Sequence, residues 1–179
     1  MRIILEGVDG IGKSTICKKL SEKFGMSIIH NRADTDNSVE YYAQLLTVPN
    51  LIQDRSYVSE EVYSMAFGRK IRLDHNDLAF IKARAASHST VVIILYSSDP
   101  DGSWRLNNTN ETKELQEHQN MINKLYWNYA KMNSDCDNVI GIDVARFSNY
   151  AERTEEITSM VSRIAKALDE EKVKADESL

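Results

Sequence analysis

The segment EGVDGIGKST, residues 6–15, constrains the fold of this chain more than any other stretch. It follows the apolar run RIIL and precedes a segment in which Ile16, Leu20 and Phe24 recur at helical spacing. Residues 7–14 match the pattern G-x-x-x-x-G-K-[ST] in full. The sequence therefore predicts a strand, a glycine-rich turn and a helix in succession, a connection whose backbone N–H groups can surround a phosphate.

Each position of this loop suits the binding of a nucleoside triphosphate. Glycines let the backbone approach the phosphates, the lysine reaches the β- and γ-phosphates, and the serine hydroxyl is a ligand for Mg²⁺. The sequence therefore predicts that ATP and Mg²⁺ bind through Gly7, Asp9, Gly10, Gly12, Lys13, Ser14 and Thr15. The loop alone does not separate kinases from nucleotide-dependent switches or ATP-driven machines.

The rest of the chain alternates apolar strands with amphipathic helices. Strands are predicted at 2–6, 26–30, 50–56, 90–97 and 138–144, and helices at 13–24, 36–47, 58–70, 75–87, after 110 and from about 149. The fourth strand, TVVIILYS, is apolar on both faces, as expected at the centre of a parallel sheet. The pattern predicts a three-layer α/β P-loop NTPase fold, with five parallel strands and helices on both faces.

Composition limits the domain count and the class of partner. We expect residues 1–170 to form a single domain with a lid loop at about 98–112, and the charged residues 171–179 to fray. The net charge of −5 argues against an extended nucleic-acid surface, and no apolar run approaches the roughly 20 residues of a membrane span. The two cysteines and four histidines lack metal-ligand spacing. We therefore expect a cytoplasmic protein that binds a small-molecule nucleotide, and neither nucleic acid nor membrane.

A second motif lies in QDRSYVSEEVYSMAFGR, residues 53–69. Together with the phosphate loop, it resembles the thymidylate kinase family of P-loop deoxynucleoside monophosphate kinases, and the compact chain is reminiscent of virus-encoded members. Asp54 and Arg55 match the family's Asp-Arg pair at a strand end, and Ser59 and Tyr63 match the serine and tyrosine of the helix that follows. The resemblance covers the order of elements from end to end, whereas its specific motifs lie only in these two segments.

The side-chain chemistry of the Asp-Arg pair also predicts a role for each residue, independently of the family resemblance. Asp54 ends a predicted central strand, where its carboxylate can hold the Mg²⁺ shell together with Ser14. Arg55 can grip the phosphate of an acceptor in a two-pronged contact. We assign both residues, with Lys13, to the catalytic machinery. The alternative is a surface ion pair at a strand end.

The resemblance also assigns residues to the acceptor nucleotide. It implies that Ser59 and Tyr63 line the pocket for the acceptor base and sugar, and that Asp9 binds the acceptor's 3′-hydroxyl. Arg32, after the second strand, and Arg69 are further candidate contacts to the acceptor. The alternatives are a helix cap for Ser59, a half-buried aromatic for Tyr63 and a turn residue for Asp9.

The lid loop is expected to supply an arginine to the transferring phosphoryl group. Some members of the resembled family carry that arginine in the phosphate loop, where this chain has Gly10 and Ile11, so Arg105 in the lid takes the role. The alternative role of Arg105 is that of a solvent-exposed charge on the loop. Trp104 beside it either stacks on a base or anchors the lid.

These residues predict ATP- and Mg²⁺-dependent phosphoryl transfer to a deoxynucleoside monophosphate, with a pyrimidine such as dTMP or dUMP favoured. Ser64 occupies the position where the family has a glutamine that helps to recognise thymine, so the sequence does not fix the identity of the acceptor base. Two alternatives also stay open. One is a deoxynucleoside kinase acting on a 5′-hydroxyl, with Asp34 as its base, and the other is a nucleotide-dependent switch or binding module. Because the resembled family often dimerises, a homodimer is one expected state.

Overall fold

The computed structural model of the protein describes residues 1–32, 38–88, 90–99 and 113–176. Its strands form one five-stranded sheet in the order β2-β3-β1-β4-β5, and all neighbouring pairs are parallel. The strands are β1 (Arg2–Gly7), β2 (Ser27–His30), β3 (Leu51–Asp54), β4 (Thr90–Tyr96) and β5 (Val139–Asp143). The α-helices of the described ranges are α1 (Lys13–Phe24), α2 (Val39–Leu45), α3 (Tyr57–Ala66), α4 (His75–Ser87), α5 (Lys113–Met132) and α6 (Tyr150–Asp176).

The central strand β1 organises the core. Leu5 lies opposite Asp54 of β3 on one side and opposite Ile93 of β4 on the other. Ile3, Ile4 and Leu5 are fully buried, so side chains on both faces of β1 are covered. This arrangement confirms the predicted α/β P-loop NTPase fold with its five-stranded parallel sheet.

Several element boundaries follow from local signals. Helix α1 spans 13–24 as predicted, and Gly25 ends it with φ of 63° and an N–H bond to the Ser21 carbonyl. Helix α3 was predicted to reach residue 70 but ends at Ala66, because Gly68 takes a φ of 60° and Arg69 N–H bonds back to the Ser64 carbonyl.

Two further helices differ in length from the prediction. Helix α2 begins at Val39, where the Ser38 side chain accepts a hydrogen bond from Tyr41 N–H, and it ends at Leu45. Helix α6 runs to Asp176 and so takes in part of the segment 171–179 for which fraying is expected. The segment DEEKVKAD is rich in residues with high helix propensity, which accounts for this extension.

In a parallel sheet the carboxyl ends of all strands meet at one edge, where ligands of open α/β sheets bind. The residues that directly follow β1, β2 and β3 therefore lie at one edge of the sheet. Of the residues singled out in the sequence, Asp34, Trp104 and Arg105 lie outside the described residues, as does most of the lid segment.

Within the described ranges, no helix is both long and apolar enough to cross a membrane.

Candidate active site

The loop between β1 and α1 depends on glycine at two close approaches. Gly7 has φ of 147°, and a Cβ there would lie 2.7 Å from the Leu95 carbonyl oxygen. Gly12 has φ of 100°, and its Cβ would lie 2.5 Å from Cε2 of Tyr150. Both conformations are rare for residues with a side chain, and both positions lack room for one. The glycines predicted to bind phosphate are therefore also required by the fold of the loop.

Lys13, the first residue of α1, is buried beneath this loop. Its Nζ donates to the carbonyl oxygens of Gly7 at 2.7 Å and Val8 at 3.0 Å, and it lies 3.8 Å from Oδ1 of Asp9. Burial lowers the pKa of Lys13 and nearby Arg55 adds to this effect, whereas the carboxylates of the site oppose it. The ammonium group thus already lies at the start of α1, where a phosphate would bind.

Ser14 and Asp54 form an oxygen-rich pair next to the loop. Ser14 Oγ donates to Asp54 Oδ2 at 3.1 Å. The other oxygen, Asp54 Oδ1, is buried and has no hydrogen-bond partner among the described residues. A hard cation such as Mg²⁺ takes oxygen ligands and would satisfy that atom, so the pair fits the predicted metal. The described residues contain no group of three or more His, Cys, Asp or Glu that could hold a metal ion.

His30 is a site residue that the sequence analysis left aside. It ends β2 directly opposite Asp54 in the strand register, and its Nδ1 lies 2.9 Å from Asp54 Oδ2. Its side chain is 54% exposed, so the ring borders the open side of the site. Histidine spacing along the chain could not reveal this contact, because it depends on β2 lying next to β3 in the sheet.

Asp9, Arg55 and Tyr63 form a compact polar cluster. Asp9 Oδ1 accepts a hydrogen bond from Arg55 Nη2, and Asp9 Oδ2 accepts one from the Tyr63 hydroxyl at 3.0 Å. The Arg55 guanidinium lies 4.9 Å from the centre of the Tyr63 ring. Burial raises the pKa of Asp9, but the Arg55 and Lys13 cations outweigh burial and hold that pKa below its usual value. The structure thus brings three predicted acceptor residues together, with Asp9 also beside Lys13.

The backbone of Arg55 adopts an uncommon conformation. Its φ is 73°, in the left-handed region that non-glycine residues rarely enter. The Arg55 N–H donates to the Leu5 carbonyl at 3.0 Å, and its carbonyl accepts from Asn31 Nδ2 at 2.7 Å. Asn31 in turn accepts from the Tyr41 hydroxyl at 2.6 Å. Such a conformation costs on the order of 1–3 kcal/mol and persists only where neighbours hold it, so Asn31 and Tyr41 support the position of Arg55.

Ser59 faces a buried carboxylate. Glu6 is fully buried, and its Oε2 accepts from Ser59 Oγ at 2.6 Å and from the Tyr126 hydroxyl at 3.0 Å. Burial raises the pKa of Glu6 to about 7, against the opposing effects of Ser59 and Arg55. The hydroxyl predicted to line the acceptor pocket is therefore engaged by Glu6 and Tyr126 in this structure. Sequence reasoning missed Glu6, although a charged residue in an apolar strand was an available signal.

The two remaining arginines lie at the edge of the site. Arg69 is exposed, and its guanidinium lies 5.9 Å from the centre of the Phe67 ring. The Phe67 ring stacks on Tyr63 with 6.2 Å between ring centres, so Arg69 is connected to the cluster through two aromatic rings. Arg32 is exposed and lies two residues beyond His30, after the end of β2. Arg69 thus lies outside the inner group formed by Lys13, Asp9, Arg55 and Asp54.

Comparisons with known proteins agree with this architecture. No protein-family model and no curated protein sequence matches the chain. The structure of the YorR protein from Bacillus subtilis, in complex with phosphorylated GDP, matches with a TM-score of 0.68 and 26% identity over 90% of this chain and 96% of that one. Thymidylate kinase from Candida albicans matches with a TM-score of 0.59 and 18% identity over 94% and 92% of the two chains. Deoxyadenosine kinase from M. mycoides with bound dCTP matches with a TM-score of 0.56 and 21% identity over 91% and 100%. The chain therefore has the α/β fold of the P-loop kinases.

Proposed function

We propose that this protein is a kinase that transfers a phosphoryl group from ATP to a deoxynucleoside monophosphate. The observation that carries the proposal is the position of the Asp9–Arg55–Tyr63 cluster beside Lys13, with 3.8 Å between Lys13 Nζ and Asp9 Oδ1. A phosphate-binding loop with an adjoining arginine site is what two phosphorylated substrates require. The similarity to a thymidylate kinase and a deoxyadenosine kinase supports nucleotide-like substrates.

The donor nucleotide would bind along the loop. The Lys13 ammonium would exchange the Gly7 and Val8 carbonyls for phosphate oxygens, since an anionic acceptor forms stronger hydrogen bonds than a neutral one. Ser14 and Asp54 would hold Mg²⁺, which neutralises charge on the phosphates when bound. In the lid, Arg105 is proposed to stabilise the charge of the transferring group.

The acceptor would bind at the arginine cluster. Arg55 would exchange its contact with Asp9 for the acceptor phosphate, a bidentate partner for which guanidinium geometry is suited. The freed Asp9 and the Tyr63 hydroxyl would then be available to the sugar hydroxyl. An acceptor phosphate oxygen is already anionic, so this reaction needs no general base and depends on positioning and electrostatic stabilisation. A deoxynucleoside monophosphate with a pyrimidine base remains the favoured acceptor.

A panel of acceptors tests the proposal directly. The protein would be incubated with ATP, Mg²⁺ and each deoxynucleoside monophosphate, including dTMP and dUMP, with the free deoxynucleosides in parallel. We expect formation of a deoxynucleoside diphosphate with wild-type protein and none with Lys13→Ala. Wild-type protein that leaves every monophosphate unchanged would contradict the proposal.

A second candidate activity is phosphorylation of the 5′-hydroxyl of a deoxynucleoside. It is favoured by the 2.9 Å contact between His30 Nδ1 and Asp54 Oδ2, because a hydroxyl acceptor needs a base and a carboxylate can orient an imidazole for that task. The same panel decides between the two activities. Transfer to free deoxynucleosides that is lost in His30→Ala would favour the second candidate, whereas transfer only to monophosphates would exclude it.

A further inference from the structure

The beginning of the last helix, α6, contacts the phosphate loop through two side chains. The Tyr150 hydroxyl donates to the Gly12 carbonyl at 3.0 Å, and Arg153 Nη1 donates to the Ile11 carbonyl at 2.9 Å. The Arg153 guanidinium also lies 5.4 Å from the centre of the Tyr150 ring. Two residues of one helix thus bind two successive carbonyl groups of the loop.

These contacts help to fix the direction in which two N–H groups of the loop point. In a trans peptide unit the C=O and N–H bonds point in opposite directions. The carbonyl of Ile11 shares its peptide plane with the N–H of Gly12, and the carbonyl of Gly12 shares its plane with the N–H of Lys13. Both carbonyls accept hydrogen bonds from α6, so both N–H groups point away from those donors. The Gly12 carbonyl also accepts the first hydrogen bond of α1, from Ile16 N–H at 3.3 Å. Loops of this kind bind phosphate through such N–H groups.

Among the described residues, the buried charge of Arg153 has no opposite charge within ion-pair distance. Arg153 is only 6% exposed, and its Nε has no hydrogen-bond partner among the described residues. No carboxylate in the described ranges lies within 4.0 Å of it. Burial lowers the pKa of Arg153, yet a guanidinium stays charged in proteins. A buried charge is costly unless a counter-charge compensates it.

We propose that Arg153 and Tyr150 are positioning residues for the nucleotide phosphates. They hold the Ile11–Gly12 and Gly12–Lys13 peptides in the phosphate-binding orientation, and bound phosphate supplies the counter-charge that Arg153 lacks. The inference rests on the proposed binding of a nucleotide at the loop. It is independent of which acceptor is phosphorylated.

The test compares ligands that differ in the number of phosphates. Affinities for ATP, ADP, AMP and inorganic tripolyphosphate would be measured in Mg²⁺ by calorimetry for wild type, Arg153→Met and the matched control Arg163→Met. Arg163 lies on the same helix but is exposed. We expect Arg153→Met to weaken ATP and tripolyphosphate by at least about tenfold and AMP by clearly less, since the lost attraction grows with ligand charge. The melting temperature without ligand should stay equal or rise, whereas Arg163→Met should leave every affinity unchanged.

Two milder variants keep the proposal testable if Arg153→Met does not fold. Arg153→Lys keeps the charge but loses the guanidinium fork, and it should show an intermediate loss. Tyr150→Phe removes only the hydrogen bond to Gly12 and should weaken ATP by a few-fold. An equal loss for ATP and AMP, or no loss in any variant, would overturn the inference. Failure of wild type itself to bind ATP and tripolyphosphate would overturn the proposed function as well, so the two failures are distinguishable.

Discussion

Glu6 carries a buried carboxylate on the central strand, and hydrogen bonds and nearby cations of the described residues compensate its charge. Ser59 and Tyr126 donate to it, yet burial raises its pKa to about 7. The raised pKa shows that the cost of desolvating the Glu6 carboxylate exceeds its stabilisation by these donors and by the neighbouring positive charges. Glu6 is therefore a group whose ionisation opposes folding.

This balance predicts a pH-dependent effect of Glu6→Gln. The folded pKa of about 7 exceeds the reference value of 4.5, so between these values the folded state holds more protons than the unfolded state. Wild-type stability contributed by this group is therefore full below about pH 4.5 and falls as pH rises to about 7, by about 3 kcal/mol in all. Glu6→Gln should remove this dependence, so its stability relative to wild type should increase through that window.

Urea unfolding at half-unit pH steps from 4.5 to 7.5 measures the effect. Glu22→Gln serves as the control, because Glu22 is an exposed glutamate on α1. Stability curves of wild type and Glu6→Gln that run parallel across the window would show that Glu6 does not titrate as described.

Arg55 is the residue whose loss should separate donor from acceptor binding. Arg55→Ala removes the proposed acceptor contact and the hydrogen bond to Asp9, but it leaves the backbone N–H groups of the loop and Lys13 in place. We expect kcat/KM for the acceptor to fall by at least about thirtyfold, as for truncation of a buried, hydrogen-bonded charge, with ATP affinity unchanged within about threefold. Steady-state kinetics with varied acceptor and direct ATP titration measure the two effects. A collapse of ATP affinity equal to the loss in kcat/KM would assign Arg55 to the donor site instead.

At the scale of elements, helix α1 begins after one glycine and ends at another, and the two differ in their surroundings. Gly12 has φ of 100° and faces Tyr150, whereas Gly25 has φ of 63° and nothing within 4 Å of a Cβ built on it. Both conformations disfavour alanine, but only Gly12 lacks space for a methyl group. The glycine at the start of α1 is thus constrained by a side chain of α6, whereas the glycine at its end has open space around it.

A pair of alanine substitutions tests this difference. Gly25→Ala should lower the free energy of unfolding by about 1 kcal/mol and leave ATP affinity unchanged. Gly12→Ala should also displace Tyr150 or the loop peptide, so ATP affinity should fall by more than about tenfold. Chemical unfolding and ATP titration measure both quantities. Equal effects of the two substitutions on ATP affinity would mean that the Tyr150 contact does not hold the loop.

At the scale of the whole molecule, the candidate site joins elements from both halves of the chain. Tyr126 of α5 bonds to Glu6 of β1, and Arg153 of α6 bonds to the loop before α1. Residues from β2 and β3 meet at Asp54. A ligand at this site therefore contacts or orders elements throughout the fold, and its binding should stabilise the entire domain.

Thermal unfolding with and without nucleotide tests this coupling. ATP with Mg²⁺ at about 100 times its Kd should add about 2.7 kcal/mol to the stability, which corresponds to a rise of roughly 5–10 °C in Tm for a domain of this size. Removal of Mg²⁺ by EDTA should reduce the rise, and Lys13→Ala should abolish it. A Tm that does not respond to ATP in wild type would argue against a nucleotide site at the loop.

Much of the fold could be predicted because its determinants are local, and the donor-site hypothesis rests on local signals of the same kind. The glycine and lysine spacing of residues 7–14, the helical periodicity of 13–24 and the apolar strand at 90–97 each act within a few residues. Turn geometry and side-chain periodicity need no knowledge of distant contacts. The same local patterns placed Asp54 and Arg55 at a strand end.

The rest was decided by tertiary structure, because it consists of hydrogen bonds between residues far apart in the chain. The strand order β2-β3-β1-β4-β5 sets His30 against Asp54, and the packing of α5 and α6 brings Tyr126 to Glu6 and Arg153 to Ile11. The sequence by itself therefore determined a glycine-rich loop between a strand and a helix in a parallel α/β sheet. Only the packing of the layers decided which buried side chains hold that loop and its acceptor cluster, since those contacts depend on how whole elements are placed.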